Sequence, residues 1–294
     1  MSESSILPPM TNEVRMIRGE AVAEAVAYLY KEVCTTPDPG VKNLLEQALE
    51  GEPPGPGREA LAIELENFRC AGETGLPICQ DTGTAVVHIE LGNLVCLENG
   101  PLSEFVDEGV RRACSQWYLR PSQVFPPLTG RANTMSNSPA VLYIDHVRGS
   151  GLKISIMAKG AGCENVSRSA MLPPLSGEEG VMGLAERCLE AGASRACPPV
   201  FLGIGIGGTL ETSGILAKKA LFREPGSGNQ EPALAVLENR MRDRLNALGI
   251  GPQGFGGGTT VLEVRIAQLP CHMASLPVTV CVECHAHRAA SCEV

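Results

Sequence analysis

Three cysteines stand alone in turn-forming segments that lie far apart along the chain. Cys79 is in Pro77-Ile-Cys-Gln-Asp-Thr-Gly83, Cys197 in Ala196-Cys-Pro-Pro199, and Cys284 in Val282-Glu-Cys-His-Ala-His-Arg288. More than a hundred residues separate the first from the second. A site built from these thiols cannot come from one local loop. It requires a fold that brings three distant turns to one place.

The chain has 294 residues, 44% of them apolar, which is enough for a real core. A net charge of -9 argues against nucleic acid or an anionic membrane as the main partner. It also means that an anionic substrate has to be captured locally, by Arg, Lys or backbone N–H groups. No apolar run approaches the roughly 18 residues of a membrane span. Met1–Pro9 has neither a basic stretch nor an apolar one, so no signal peptide is expected. Twelve cysteines without a secretory signal point to reduced thiols and a cytoplasmic protein. Cys34, Cys70, Cys114 and Cys188 fall in helical patterns and are expected to act as small hydrophobes. Cys281 and Cys284 resemble half a zinc site, but no second such pair exists, which argues against structural zinc.

Apolar spacing predicts helices over Glu20–Val33, Val41–Leu49, Arg58–Ala71, Leu102–Trp117, Thr209–Phe222 and Pro232–Leu248. Another is expected to start at Ser176, with Glu179 completing a capping box, and to end at Gly192. Strand patterns cover Thr84–Leu91, Ala140–Val147, Lys153–Met157, Val261–Ala267 and Leu276–Glu283. The expectation is a mixed α/β fold: a helical N-terminal region packed on an α/β core with short mixed sheets. One domain spans 1–294, with 1–18 as a flexible tail.

Two glycine-rich segments invite a nucleotide reading. Gly203-Ile-Gly-Ile-Gly-Gly208 matches the dinucleotide fingerprint by letter. The second strand and its ribose-binding acid are missing, because a polar loop follows the next helix. A helix N-terminus offering N–H groups to an anion is one alternative; close strand–helix packing is another. Leu248–Thr260 lacks the Lys of a Walker A loop, and its many glycines suggest backbone lying close to a ligand or another chain.

Eight segments, taken in order, give a sharper reading. They are PICQDTGTAVVHIELG, the YLRPS region, NSPAV, KGAGCEN, ACPPVFLGIGIGG, LGIGPQGFGGGTT, HMASLPVTV and CHAHR. From about residue 20 onward the chain resembles the α subunit, or N-terminal half, of class I iron–sulfur hydro-lyases, the fumarases and tartrate dehydratases. The resemblance implies a [4Fe–4S] cluster on Cys79, Cys197 and Cys284, with one iron left open. An open metal position suits Lewis-acid chemistry on a carbon–oxygen bond.

By the same resemblance Asp81 and His272 are catalytic candidates. Gln80, Arg120, Lys159 and Gly160 are substrate-binding candidates. A carboxylate such as Asp81 can exchange a proton, although its plainer role is to cap a turn. A guanidinium such as that of Arg120 suits a carboxylate. His88 and His146 receive no role. Three departures bear on substrate identity: Thr134-Met-Ser-Asn-Ser-Pro-Ala-Val141, Gly160-Ala-Gly-Cys-Glu-Asn165 and Gly258. Cys163 replaces the family's Ser and counts as a stray thiol near the cluster.

The expected function is reversible hydration of the small dicarboxylate fumarate to malate, in a hetero-oligomer with a separate β subunit. L(+)-tartrate dehydratase is the near alternative. A cluster-free binding or scaffold homologue and a nucleotide-dependent oxidoreductase are alternatives of other classes.

Overall fold

The computed structural model describes residues 13–294. The first part is helical: β1 (Arg15–Arg18), α1 (Gly19–Thr35), α2 (Pro39–Gly51) and α3 (Pro56–Thr74). Then come β2 (Thr84–Gly92), β3 (Val95–Glu98), α4 (Leu102–Gln116), β4 (Val124–Phe125) and β5 (Ala132–Asn133). The middle holds β6 (Val141–Val147), β7 (Leu152–Lys159), α5 (Ala161–Val166), β8 (Arg168–Leu172) and α6 (Gly177–Gly192). The last part is β9 (Val200–Gly208), α7 (Leu210–Ala220), α8 (Pro232–Asn246), β10 (Val261–Cys271), β11 (Leu276–Glu283) and β12 (Ala289–Glu293). The α/β mixed expectation holds.

Two four-stranded sheets form the frame, in the orders β12-β7-β2-β6 and β10-β9-β11-β8. Each has one parallel pair, β2 with β6 and β9 with β10. Alternation along the strands sets the layers. Ala85, Val87 and Ile89 of β2 join Val22 and Val26 of α1 and Val106 and Val110 of α4. Val86, on the opposite face, packs in a middle layer with Leu45 of α2, Phe68 of α3, Ala217 of α7 and Phe201 of β9. Val200, Leu202 and Ile204 of β9 turn outward to α6 and α8. The order is therefore helices, sheet, helices, sheet, helices.

Several local expectations are corrected. Ser176 carries helical dihedrals, φ -65° and ψ -26°, and makes no capping hydrogen bond. A cap needs extended backbone. The capping box occurs instead at Thr209, where Thr212 Oγ1 accepts from the Thr209 N–H at 2.6 Å. Arg15–Arg18 are not a tail, because they pair in parallel with Val95–Glu98. The remainder of that tail and the signal-peptide reading of Met1–Pro9 fall outside the described residues. Cys34, Cys114 and Cys188 are buried as expected, but Cys70 is exposed.

The glycine fingerprint lies inside β9 and not in a phosphate-binding turn. A Cβ on Gly203 or Gly205 would come 2.0 Å from a carbonyl oxygen of α7, that of Ala217 or Ser213. These glycines let the helix lie directly on the strand. The segment is therefore not a nucleotide fingerprint, and the Thr209–Thr212 capping box takes up part of the helix start. Gly205→Ala should cost about 3 kcal/mol, the upper part of the overpacking range. Urea unfolding would show a lowered midpoint; an unchanged midpoint would refute this account of the glycines. The second glycine loop also closes on its own chain. The Glu52 carboxylate accepts from the Gly258 and Thr259 N–H groups at 2.7 and 3.0 Å.

No helix among the described residues is long and apolar enough to cross a membrane. Strand register gathers the important turns. Thr84 pairs with Lys159, Ala289 with Met157, and Glu283 with Phe201. The start of β2, the end of β7, the start of β9, the end of β11 and the start of β12 therefore share one end of the frame.

Candidate active site

The Cys79 turn is held from several sides. The Ile78 N–H donates to Cys34 O at 2.8 Å, and Asn67 Nδ2 donates to Ile78 O at 2.9 Å. The Asp81 N–H donates to Cys79 Sγ at 3.4 Å. Gly83 closes the turn with φ +77°, and a Cβ there would meet Lys159 O at 2.5 Å. Its carbonyl accepts from Tyr30 OH at 3.1 Å and Asn137 Nδ2 at 2.8 Å.

Asn137 is fully buried and makes two further bonds, to Tyr30 OH and from the Ser122 N–H. It thus ties the Cys79 turn to the segment carrying Arg120. Asn137→Ala leaves the Ser122 N–H without its acceptor, at about 1–3 kcal/mol, and removes a donor from Tyr30 OH and Gly83 O. The expected result is a lowered melting temperature and a Cys79 that alkylates faster in the folded protein. An alkylation rate equal to that of the parent chain would remove Asn137 from this positioning role.

Cys197 adopts φ +52°, an uncommon conformation for a residue with a side chain. It is fixed to the Cys284 segment, because its carbonyl lies 3.0 Å from His285 Nδ1. The Gln253 N–H donates to the adjoining Pro198 O at 2.7 Å. Beyond Cys284, His287 is buried, its ring stacked on Phe201 at 4.6 Å. Arg265 Nη1 lies 3.0 Å from His287 Nε2, which must then be the acceptor nitrogen. Burial and the Arg265 charge hold His287 well below the usual histidine range, so its ring stays neutral.

The thiols sense one another. Burial pushes Cys197 up to about 11, and the nearby sulfurs of Cys284 and Cys79 act in the same direction. A hydrogen bond from Cys163 holds Cys284 well below the usual thiol range, against its burial, with help from His285 and Arg288. Thiolates that would repel one another are stabilised by bound metal.

A buried charge array lies behind them. Lys159 Nζ donates to Val282 O at 2.6 Å and lies 3.4 Å from both Glu164 Oε2 and Glu283 Oε2. Burial disfavours its charge, but the Glu283 carboxylate outweighs that and keeps Lys159 above the usual lysine value. Burial pushes Glu283 up to about 7 despite the opposing pull of Lys159. Arg288, also buried, donates from Nη1 to Asp81 O at 2.8 Å.

Most of the expected substrate-facing residues lie around this end of the frame. Gln80 is exposed beside Cys79, with Oε1 3.8 Å from its sulfur. The Asp81 carboxylate accepts from the Gly83 N–H at 3.0 Å, Ser122 Oγ at 3.2 Å and the Ala161 N–H at 3.0 Å. It therefore does cap its turn, and it also fastens that turn to α5. Gly160 is the residue before α5 and is buried. Arg120 is exposed, with no ion-pair partner among the described residues, two positions from the Ser122 that binds Asp81.

His272 lies elsewhere. It is exposed in the turn between β10 and β11, next to Cys271, which pairs with Gly208 at the far end of β9. At the usual rise per residue, the length of β9 puts it roughly 25 Å from the Cys197 end. Within one chain it does not join the others. His88 Nε2 lies 2.8 Å from Asp145 Oδ2. Sequence reading passed over Asn137, Arg288 and Glu283, and it set Cys163 aside. Cys163, Glu283 and Cys284 in fact form a compact group. The available signals were the Cys in KGAGCEN and the acid directly before Cys284.

The sequence that builds this fold matches a family of hydro-lyases. A family model described as fumarate hydratase (Fumerase) covers residues 23–293. A Methanocaldococcus jannaschii protein, provisionally named L(+)-tartrate dehydratase subunit alpha, is 37% identical over 92% of this chain and 96% of its own length. L(+)-tartrate dehydratase subunit alpha of Escherichia coli K12 is 32% identical over 91% of this chain and 88% of its own. The protein of that name from Shigella sonnei matches to the same degree, 32% over 91% and 88%. The chain belongs to the fumarate hydratase (Fumerase) family.

Proposed function

We propose that this chain is the α subunit of an iron–sulfur hydro-lyase that hydrates fumarate reversibly to malate together with a β subunit. The observation that carries the reading is the meeting of the Cys79, Cys197 and Cys284 turns at one end of both sheets. The donor set suits an iron–sulfur cluster. It offers three soft thiolates from rigidly held turns, and the sulfurs of Cys284 and Cys79 add to burial in raising the Cys197 pKa. Such a cluster, with one iron open, supplies a Lewis acid for the departing or attacking hydroxyl.

The chain's own residues do the rest. Arg120 and Gln80 hold a substrate carboxylate, the first as a planar two-toothed donor. Asp81, fixed by its three donors, gives or takes the proton at a carboxylate oxygen. Lys159 and Gly160 fix the floor beside α5, with Lys159 keeping positive charge next to the anionic substrate. His272 stays outside the reading, because it lies at the other end of the second sheet.

Tartrate dehydration is a second reading, favoured by the names of the relatives above. The β partner is inferred from the words "subunit alpha" in those names. To test both, the α chain and a candidate β chain are co-purified, reconstituted anaerobically with iron and sulfide, and assayed on fumarate, malate and L(+)-tartrate. The expected result is fumarate–malate interconversion by the pair and little or none by α alone. Turnover of tartrate only would replace the substrate assignment. Full turnover by α alone would remove the partner. A colourless, inactive pair would leave a binding or scaffold protein.

A further inference from the structure

Cys163, in α5, places a sulfur at a buried position. Its Sγ, the Cys284 Sγ and a Glu283 carboxylate oxygen all lie within 4.8 Å of one another. Two sulfurs and an oxygen on one tetrahedral ion, with bonds of about 2.0–2.3 Å, span a similar distance. Glu283 is fully buried, and neither carboxylate oxygen has a hydrogen-bond partner. A buried, unpaired carboxylate is costly unless something binds it. Lys159 compensates only in part, at 3.4 Å from one oxygen.

The supports are stiff. Glu283 ends β11 opposite Phe201 of β9, and Cys163 sits on α5 between the Asp81 contact at Ala161 and the Cys188 contact at Val166. Cys163 is 3% exposed, while Cys284 is partly open and gives a way in. Two thiolates with one carboxylate select a thiophilic divalent ion over magnesium or calcium.

We propose that Cys163, Glu283 and Cys284 form a second metal site that holds one thiophilic divalent cation, zinc or ferrous iron, when Cys284 carries no cluster. Binding displaces the proton that the two sulfurs share, with three protein ligands and one position left for water. The ion site stands independently of the proposed function. Its competition with the cluster for Cys284 rests on that reading.

The test uses the full-length chain, reduced, stripped of metal and kept anaerobic. It is titrated with zinc against a chromophoric chelator, and with cobalt for thiolate charge-transfer absorption. One equivalent should bind to the parent chain. Cys163→Ser, Glu283→Gln and Cys284→Ser should weaken binding, the two cysteine changes by more than about 100-fold, beyond what outer-shell changes produce. Cys79→Ser should bind as the parent does. Metal-free melting curves show whether each variant folds. The Glu283→Gln change keeps both thiols, so it tests the site even where a cysteine variant melts early.

Parent-like zinc affinity in Cys163→Ser would overturn the site. So would a loss in Cys79→Ser as large as that in Cys284→Ser, because the ion would then sit among the three turn cysteines. A zinc-loaded parent chain should also assemble less cluster than zinc-treated Cys163→Ser. Equal assembly alongside intact zinc binding would remove the competition and leave the ion site standing.

Discussion

Cys79→Ser, Cys197→Ser and Cys284→Ser should each abolish both cluster retention and hydration activity, whereas Cys188→Ser should preserve both. A hydroxyl replaces a soft thiolate, and iron in a sulfide cluster has little affinity for it. The proposed ligands stand in turns at the shared end of the two sheets, where Cys163 of α5 lies beside Cys284 as a further thiol. Cys188 is a stringent control. It is buried in α6, and its Sγ lies 2.9 Å from Val166 O. A serine there can donate to the same carbonyl, so the change disturbs packing only slightly. Iron per chain and initial rate are measured together. Parent-level iron in any one of the first three variants would remove that residue from the ligand set.

Exposure to air should inactivate the reconstituted enzyme, and ferrous iron with a thiol reductant should restore it under anaerobic conditions. An iron without a protein thiolate is the exposed member of a cluster and is lost first on oxidation. Cys197 is exposed and Cys79 half-buried, so solvent reaches this side of the site. Zinc or magnesium should not restore activity, since neither rebuilds a cluster. Activity that survives in air, or returns with zinc alone, would point to an ordinary metal hydratase.

Much of this fold is legible in the sequence, for physical reasons. α1 to α4 carry apolar residues at helical spacing, and β2 and β11 alternate clearly, so their ends are found within a few residues. β1, β3, β8 and β12 are missed because each is only four or five residues long, too short for a period to show. β9 reads as a turn beyond Leu202 because glycine disfavours strands. Contact with α7 overrides that preference, and no local pattern announces it.

The site divides in the same way. The turn character of Cys79, Cys197 and Cys284 is visible in the letters, but their grouping came from family resemblance and not from spacing. Asn137 stands in a divergent loop where no letter pattern marks it, yet it ties three segments together. The group of Cys163, Glu283 and Cys284 depends on the register of β11 against β9 and on the path of α5. His272 shows the opposite case, since its motif matches while the strand carries it, within one chain, to the other end of the sheet.

The most direct test is anaerobic reconstitution of the α chain with ferrous iron and sulfide, followed by iron and sulfide analysis and an absorption spectrum. The account predicts a brown protein with broad sulfide-to-iron charge-transfer absorption, about four irons and four sulfides per chain as expected of a [4Fe–4S] cluster, and loss of both in Cys197→Ser. A colourless chain, or one that binds iron without sulfide and keeps it in Cys197→Ser, would contradict the account.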